Sequence, residues 1–323
     1  MKWLYGIIRN VKEHKRFKGG EKLKKAFYMD ILNVVGVKNI KCDEEMKNHT
    51  SLRVGGKVDF LIEPTTEEQV KELVKLMTQY SQEYYIIGRG SNLLVRDEGL
   101  KGVVVKLSDK FSGIERNGSR LTIFAGTPLA EVSKFAYKNA LKGLEFASGI
   151  PGSIGGAVAM NAGAYGGEMK DVISSVKIID ESGNIKTLTN EEMKFSYRKS
   201  LLTDNPKYIV LSIEIDLEDG DREEILKEMS MRAQKRSNSQ PLEKCNCGST
   251  FKRPEGHFAG QLIEECGLKG YIENGVEVSS KHAGFIVNSG KSTATDMINV
   301  IEMVKKRVKD KFDIELEEEV KII

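Results

Sequence analysis

Four cysteines in 323 residues (Cys42, Cys245, Cys247 and Cys266) are too few for a disulfide framework in a chain of this size. Thiols kept reduced, as in a cytoplasm, are the simpler reading. Cys245 and Cys247 form one CxC pair near His257, but no second ligand pair follows, so no metal site is expected. No window approaches the run of about 18 apolar residues that a membrane span requires. The net charge of +3 is too small for general nucleic-acid binding, although it is compatible with a small anionic substrate. Internal repeats are absent, and no cleavable small-residue site follows a long apolar core near the N-terminus, which argues against a signal peptide.

What is abundant is charge at one end and glycine in the middle. The first 28 residues carry nine Lys or Arg against Glu13 and Glu21, with Trp3, Leu4, Ile7 and Ile8 as an apolar cluster. This segment reads as an amphipathic membrane-surface helix, a disordered basic arm, or sequence upstream of a start at Met29, and no catalytic role is assigned to it. The run GIPGSIGGAVAMNAGAYGG, Gly149 to Gly167, holds seven glycines and no charged residue in nineteen positions of a chain that is 30% charged. Glycine costs backbone entropy in regular structure. A stretch so dense in it, yet carrying Ile150, Ile154, Val158 and Met160, reads either as backbone folded against a flat apolar ligand or as a buried turn with none.

Patterning orders the rest. Val58 to Glu63 is a strand, after which Pro64-Thr65-Thr66 opens a helix with Glu67 and Glu68 in its first turn. Val70, Leu73, Val74 and Met77 recur at helical spacing. Strands follow at Tyr84 to Ile87 and Gly102 to Leu107, the first running directly into Gly88-Arg89-Gly90-Ser91-Asn92. A second block has a strand at Leu121 to Ala125, a helix from Thr127-Pro128, a hairpin from Val172 to Leu188 and a long strand from Tyr208 to Leu217. After Asp219-Gly220-Asp221 come a charged helix to about Ser237, a helix near Ala259 to Cys266, strands around Val276 and Phe285 to Val287, and a helix from Thr293 to Phe312. A final strand is expected over Ile314 to Ile323. The class is α+β in three parts.

Several residues could carry chemistry. Gly88 to Asn92 offers successive backbone N–H groups suited to a phosphate, without the third glycine and helix of the dinucleotide fingerprint. Two glycine-rich elements some 60 residues apart in sequence could hold the two ends of one long cofactor. Arg198, in FSYRKS, could clamp a carboxylate or stabilise an enolate; a surface loop arginine is the plainer reading. Ser249, in NCGSTFKRP, could donate a proton if its neighbours favour it, though loop serines commonly bond locally. Plain alternation places Glu319 with Glu317 and Lys321 on a solvated face, opposite Leu316 and Val320.

Together, in this order, these segments resemble the UDP-N-acetylenolpyruvoylglucosamine reductase family, flavoenzymes of peptidoglycan synthesis. The resemblance runs from about Asn48 to the C-terminus through HTSLRVGG (His49 to Gly56), GRGSNLLVRD, the full Gly149 run, FSYRKS, CGSTFKRP, GHFAGQLIEECGLKG and the terminal EVKII. It implies two FAD-binding lobes of the vanillyl-alcohol-oxidase/PCMH type plus a C-terminal α+β substrate-binding domain. The boundaries that follow are a basic N-terminal extension over 1–40, a first lobe over 41–107 completed by the strand 313–323, a second lobe over 108–218, and the substrate domain over 219–312. It implies cytoplasmic reduction of an enolpyruvyl ether on a UDP-sugar, with non-covalent FAD as cofactor and NADPH as co-substrate. No His lies between His49 and His257 to tether a flavin.

The family's catalytic arginine, serine and glutamate fall on Arg198, Ser249 and Glu319. Cofactor contacts fall on Arg53, Gly88, Arg89, Gly90, Ser91, Asn92, Gly149, Gly152, Ser153, Gly155, Gly156, Asn161, Gly163 and Ala164. Substrate contacts fall on Tyr197, Arg236, Gln240, Lys252, Arg253 and Gln261. The chain departs from the pattern in three ways: Arg253 stands where Asn is common, Glu318 stands where proline often precedes the last glutamate, and the short interval from Tyr197 to Ser249 resembles the subclass without a tyrosine-bearing substrate loop. An oxidase of another substrate on the same fold, and a UDP-sugar sensor without catalysis, are the two rival readings.

Overall fold

Strand-forming stretches of alternating Val, Ile and Phe assemble first into a four-stranded sheet ordered Ile40–Glu45, Lys57–Ile62, Leu100–Lys106, Tyr84–Ile87 in a computed structural model that describes residues 21–323. The first pair is antiparallel and the other two are parallel. The crossover between parallel strands is the helix Glu67–Gln79, begun by Thr66, whose hydroxyl accepts from the Gln69 N–H at 3.2 Å. Its buried stripe is Val70, Leu73, Val74 and Met77, the four residues that the periodicity picks out.

A helix that the sequence pattern does not signal precedes this sheet. Glu21–Val35 lays Phe27, Ile31 and Val35, spaced four apart, into the core. Phe27 meets Phe60 and Tyr80 edge-to-face at 5.7 and 5.4 Å, and the Tyr80 hydroxyl donates to Asp30 at 2.5 Å. The expected extension over 1–40 is therefore corrected: residues from about Phe27 onward belong to the first lobe. The lysines around them dilute the apolar period, which is why the stretch reads as a basic arm. Trp3, Leu4, Ile7 and Ile8 lie outside the described residues.

The second lobe is a five-stranded antiparallel sheet ordered Ile185–Thr189, Ile173–Ile179, Ile209–Asp216, Arg120–Phe124, Ile114–Asn117. One continuous apolar core joins it to the first lobe, running from Phe60 and Val105 through Phe111 to Ile123 and Ile213. The helices Leu129–Lys138 and Ile154–Ala159 cover it on the side of the glycine-rich run. The long polar helix Arg222–Ser239, capped by Asp221, then leads to the C-terminal part.

That part has its own core, built by the helices Ala259–Glu265 and Ala294–Phe312 on the strands Val276–Val278 and Ile286–Asn288. Leu52 and Val54 of the His49–Gly56 loop are buried in this core, with Leu316 and Val320 from the chain's last residues. Two polar contacts reinforce the join. Asp97 caps the helix Ala294–Phe312 by accepting from the Ala294 and Thr295 N–H groups at 2.9 and 2.8 Å, and the Asn288 amide donates to the Leu52 carbonyl at 2.9 Å.

The final strand expected over Ile314 to Ile323 is not one strand. The chain first pairs with the C-terminal part, where Phe251 bridges Glu318 and the Glu319 N–H donates to the Thr250 carbonyl at 2.8 Å. It then changes partner, and Lys321–Ile322 runs parallel to Leu93–Leu94 of the first lobe. Glu319 lies at the changeover, so strict alternation does not place its side chain. Phe27→Ala should destabilise the protein by about 3–5 kcal/mol, the usual cost of emptying a buried aromatic site. A large drop in the urea midpoint checks this, whereas a dispensable arm would leave it unmoved.

Candidate active site

The site begins at the turn after strand Tyr84–Ile87. Gly90 has φ +66°, and a Cβ there would lie 1.9 Å from the His49 carbonyl oxygen, so only glycine fits. A Cβ on Gly88 would lie 2.2 Å from the Ser153 hydroxyl, and the Ser91 hydroxyl donates to the Pro151 carbonyl at 3.2 Å. The two glycine-rich elements thus pack directly on each other instead of standing at opposite ends of a long slot. Gly155 likewise seats against Ala125, with its N–H donating to the Ala125 carbonyl at 2.9 Å. Much of the run's glycine content is explained by close approach of protein to protein.

Among the described residues, the N–H groups of Arg89, Gly90, Ser91 and Asn92 donate to no protein acceptor. The Asn92 carbonyl oxygen Oδ1 is buried without a partner, while its Nδ2 donates to the Glu319 carbonyl at 2.8 Å. An unused row of amides beside an orphaned buried acceptor fits a polyanionic ligand that also offers donors. A dinucleotide such as FAD has both characters, and the residues present fit it.

Two cavities adjoin this turn. The larger, about 800 Å3, is walled by Ser91, Asn92, Gly163 and Ala164 on one side and by Arg236 and Gln240 on the other. The smaller, about 520 Å3, lies towards the C-terminal part and takes in Tyr197, Gln261, Phe258, Lys281 and His282. Four residues line both: Arg198, Ser249, Arg253 and Glu319. Residues separated by up to 121 positions in sequence therefore stand along one seam.

Arg198 occupies a tight turn in which Ser196 and Lys199 exchange backbone hydrogen bonds at 3.0 and 3.1 Å, and its φ is +56°. Its Nε donates to Glu319 Oε1 at 2.7 Å, with the two side chains only 20% and 12% exposed. Burial pushes the Glu319 carboxyl above its ordinary range, although the Arg198 guanidinium draws it back. Ser249 is held by its neighbour: the Thr250 N–H donates to the Gly284 carbonyl at 2.9 Å, and the Thr250 hydroxyl accepts from the Ile286 N–H at 3.1 Å. The Tyr197 hydroxyl accepts from the Arg253 N–H at 3.1 Å, and the Arg253 guanidinium lies 4.5 Å over the Phe258 ring. Burial lowers the pKa of Arg236, whose Nε donates to Gln240 at 3.0 Å. Cys247, buried on the wall of the larger cavity, is pushed up to about 12 by burial and stays a thiol.

Other expected contacts stand elsewhere. Lys252 lines neither cavity, because its ammonium pairs with Glu317. Arg53 is exposed outside both cavities, and Arg89 points away to Asp109 at 2.5 Å. Gly88, Gly90, Gly149, Gly152, Ser153, Gly155 and Gly156 line neither cavity with their own atoms, and Gly149 and Gly156 are exposed. Asn161 is corrected as a side-chain contact for a cofactor: it is fully buried and its amide is spent on Glu168, Ser196 and Lys170. Ile150 and Met160, named from the sequence as apolar residues of the run, do line the larger cavity, whereas sequence reasoning did not single out Tyr165 there, or Phe258, Lys281 and His282 on the smaller. Phe258 and Tyr165 stand inside quoted motifs, so the signal was present without a reason to choose them.

Comparison with known proteins decides the family. The profile of the UDP-N-acetylenolpyruvoylglucosamine reductase C-terminal domain matches residues 240–323, and that of an FAD binding domain matches 58–189. A UDP-N-acetylenolpyruvoylglucosamine reductase of Clostridioides difficile is 51% identical over 92% of this chain and 97% of its own length. That of Geobacillus kaustophilus is 48% identical over the same shares. The chain belongs to the UDP-N-acetylenolpyruvoylglucosamine reductase family. A crystal structure of the reductase from Thermus caldophilus superimposes with a TM-score of 0.76 at 35% identity, over 86% of this chain and 97% of that one. This reductase is accordingly an FAD-dependent oxidoreductase of α+β class with an FAD-binding part and a C-terminal part. No helix among the described residues is long and apolar enough to cross a membrane.

A raised Glu319 pKa means that the folded reductase holds this proton more tightly than the unfolded chain does. The carboxyl's contribution to stability is therefore fully present below the ordinary carboxylate range and lost as pH rises from about 4 through the folded value. Glu319→Gln should remove that decline, which urea midpoints taken across the acid range would read as a flatter profile.

Proposed function

We infer that this protein reduces the enolpyruvyl ether of UDP-N-acetylglucosamine-enolpyruvate to UDP-N-acetylmuramate, a step in peptidoglycan precursor synthesis. The observation that carries the roles of individual residues is the meeting of Arg198, Ser249 and Glu319 on the seam shared by the two cavities. On this reading the larger cavity takes the reactive part of FAD, while the smaller receives part of the UDP-sugar and presents its double bond at the seam. FAD, when bound, supplies hydride transfer, with NADPH as the source. The N–H row from Arg89 to Asn92 would hold the diphosphate, with the walls at Gly163 and Ala164 beside it.

The chain's own residues then manage charge and one proton. As the vinyl carbon farther from the ether oxygen becomes saturated, negative charge grows on the adjacent carbon and spreads into its carboxylate. Arg198 donates to those oxygens through its planar fork. Glu319, favoured as a neutral acid by burial, adds an O–H donor where an ionised carboxylate would repel. Ser249 gives the proton that completes the saturated ether, its backbone being anchored by the bonds that Thr250 makes to Gly284 and Ile286. Arg236, Gln240, Arg253, Tyr197 and Gln261 remain our candidates for the anionic and polar groups of the nucleotide sugar, whereas Lys252 would need to leave Glu317 to join them. The four cysteines stand as free thiols, which suits the reducing cytoplasm where we place the protein.

Ser249→Ala should leave flavin reduction by NADPH within about threefold of the parent while slowing the second half-reaction by roughly 10²–10⁴-fold, the usual weight of a lost general acid. Stopped-flow absorbance on each half separately reads both rates. Equal slowing of the two would remove the proton-donor assignment.

A further inference from the structure

Asn161 has no exposed surface, and every polar atom of its side chain is used inside the protein. Its Nδ2 donates to the Ser196 carbonyl at 3.1 Å and to Glu168 Oε2 at 2.7 Å, and its Oδ1 accepts from the Lys170 N–H at 2.9 Å. With both amide donors committed and no surface exposed, no ligand reaches the lone pair that Oδ1 has left. Its own φ of +43° is one that asparagine tolerates better than most residues. The residue is therefore built into the glycine-rich run for what it grips, and one of its grips is the turn that carries Arg198.

Other bonds share the work of fixing that turn: the Arg253 N–H donates to the Tyr197 hydroxyl at 3.1 Å, Arg198 Nε to Glu319 at 2.7 Å, and the Leu201 N–H to the Met193 carbonyl at 2.7 Å. Ser196 and Lys199 close it internally, and Arg198 within it sits at a positive φ that its own side chain does not favour. Two further bonds tie its exit to the same run: the Ser200 hydroxyl donates to the Ala159 carbonyl at 2.7 Å, and the Thr203 hydroxyl to the same oxygen at 3.3 Å. Of these tethers, the Asn161–Ser196 bond holds the entry side of the turn, two residues before Arg198, as the Ser200 bond holds the exit side two residues after it. Losing the Asn161 bond leaves the Ser196 carbonyl with only the Lys199 N–H inside the turn and nothing holding it to the run, and a shift of about 1 Å in a reacting group can cost on the order of a hundredfold in rate.

We propose that Asn161 is a positioning residue for Arg198, holding the Ser196–Lys199 turn where the guanidinium meets Glu319 and the carboxylate of the substrate. The inference rests on the role given to Arg198 above. It links the wall of the larger cavity to catalysis: the run that lines that cavity also sets where the arginine stands.

The test is a mutant cycle read on the two half-reactions of the flavin-loaded protein. Asn161→Ala should retain flavin by its visible spectrum and keep reduction by NADPH within about threefold, while slowing reoxidation by the enolpyruvyl UDP-sugar roughly 10–100-fold. In an Arg198→Ala background the same change should cost less than about threefold, because its effect passes through the missing arginine. Ser200→Ala, which loosens the turn from its exit side, should show a smaller loss with the same dependence on Arg198, and it decides the matter if Asn161→Ala does not fold. Equal losses in the two backgrounds, or a folded Asn161→Ala protein with a parental second half-reaction, would overturn the proposal alone. An Arg198→Ala protein that reoxidises at the parental rate would instead overturn the role of Arg198, and this inference with it.

Discussion

The hydrogen bond from the Glu319 N–H to the Thr250 carbonyl is the contact on which the site depends. It ends the pairing of the last residues with the C-terminal part, just before Lys321 and Ile322 pass to Leu93 and Leu94. One short segment therefore fixes three things at once. It sets Ser249 beside Glu319, brings both under Arg198, and ties the C-terminal part to the loop that offers free N–H groups. The Asn92 amide, donating to the Glu319 carbonyl, adds the phosphate-type turn to the same junction. Removing any of these partners would leave the others without a common reference.

Around that junction the protein has already excluded much of the water before a ligand arrives. Burial raises the Glu319 carboxyl, lowers the pKa of the Arg236 guanidinium and keeps Cys247 protonated, three effects with one cause. Each makes the local environment one in which a fixed donor acts on developing charge at reduced screening. Arg198 is the counterweight, because its bond to Glu319 stops the carboxyl from becoming simply neutral and inert. Burial favours the neutral carboxyl and the Arg198 bond the ionised one, and the charge on a bound carboxylate adds to the first.

Most of the regular structure was legible from the chain alone. The helix at Glu67–Gln79 announced itself by Thr66, by the acidic first turn and by a clean apolar stripe, and the hairpin after Val172 by its turn residues. The dense glycine run was visible too, but its cause was not, because whether a glycine faces a ligand or another loop depends on packing that sequence spacing does not encode. Glu319 shows the same limit. Alternation assumes a single strand with a single partner, and this strand changes partners at that residue. The helix Glu21–Val35 was hidden because its buried residues are few and spaced among lysines. Asn161 looked like a ligand contact because it sits in a ligand-lining motif; only coordinates reveal that its amide is already occupied.

The membership of Leu52 and Val54 in the same core as Leu316 and Val320 has a consequence for how the molecule comes into being. Residues more than 260 positions apart must meet before that core closes, and closing loops of that length comes late and slowly in folding. During synthesis the His49–Gly56 loop emerges early and then waits with its apolar side chains uncovered until nearly the whole polypeptide has left the ribosome. A nascent chain would thus carry a closed five-stranded sheet beside a first lobe still waiting for Lys321 and Ile322 to pair with Leu93 and Leu94.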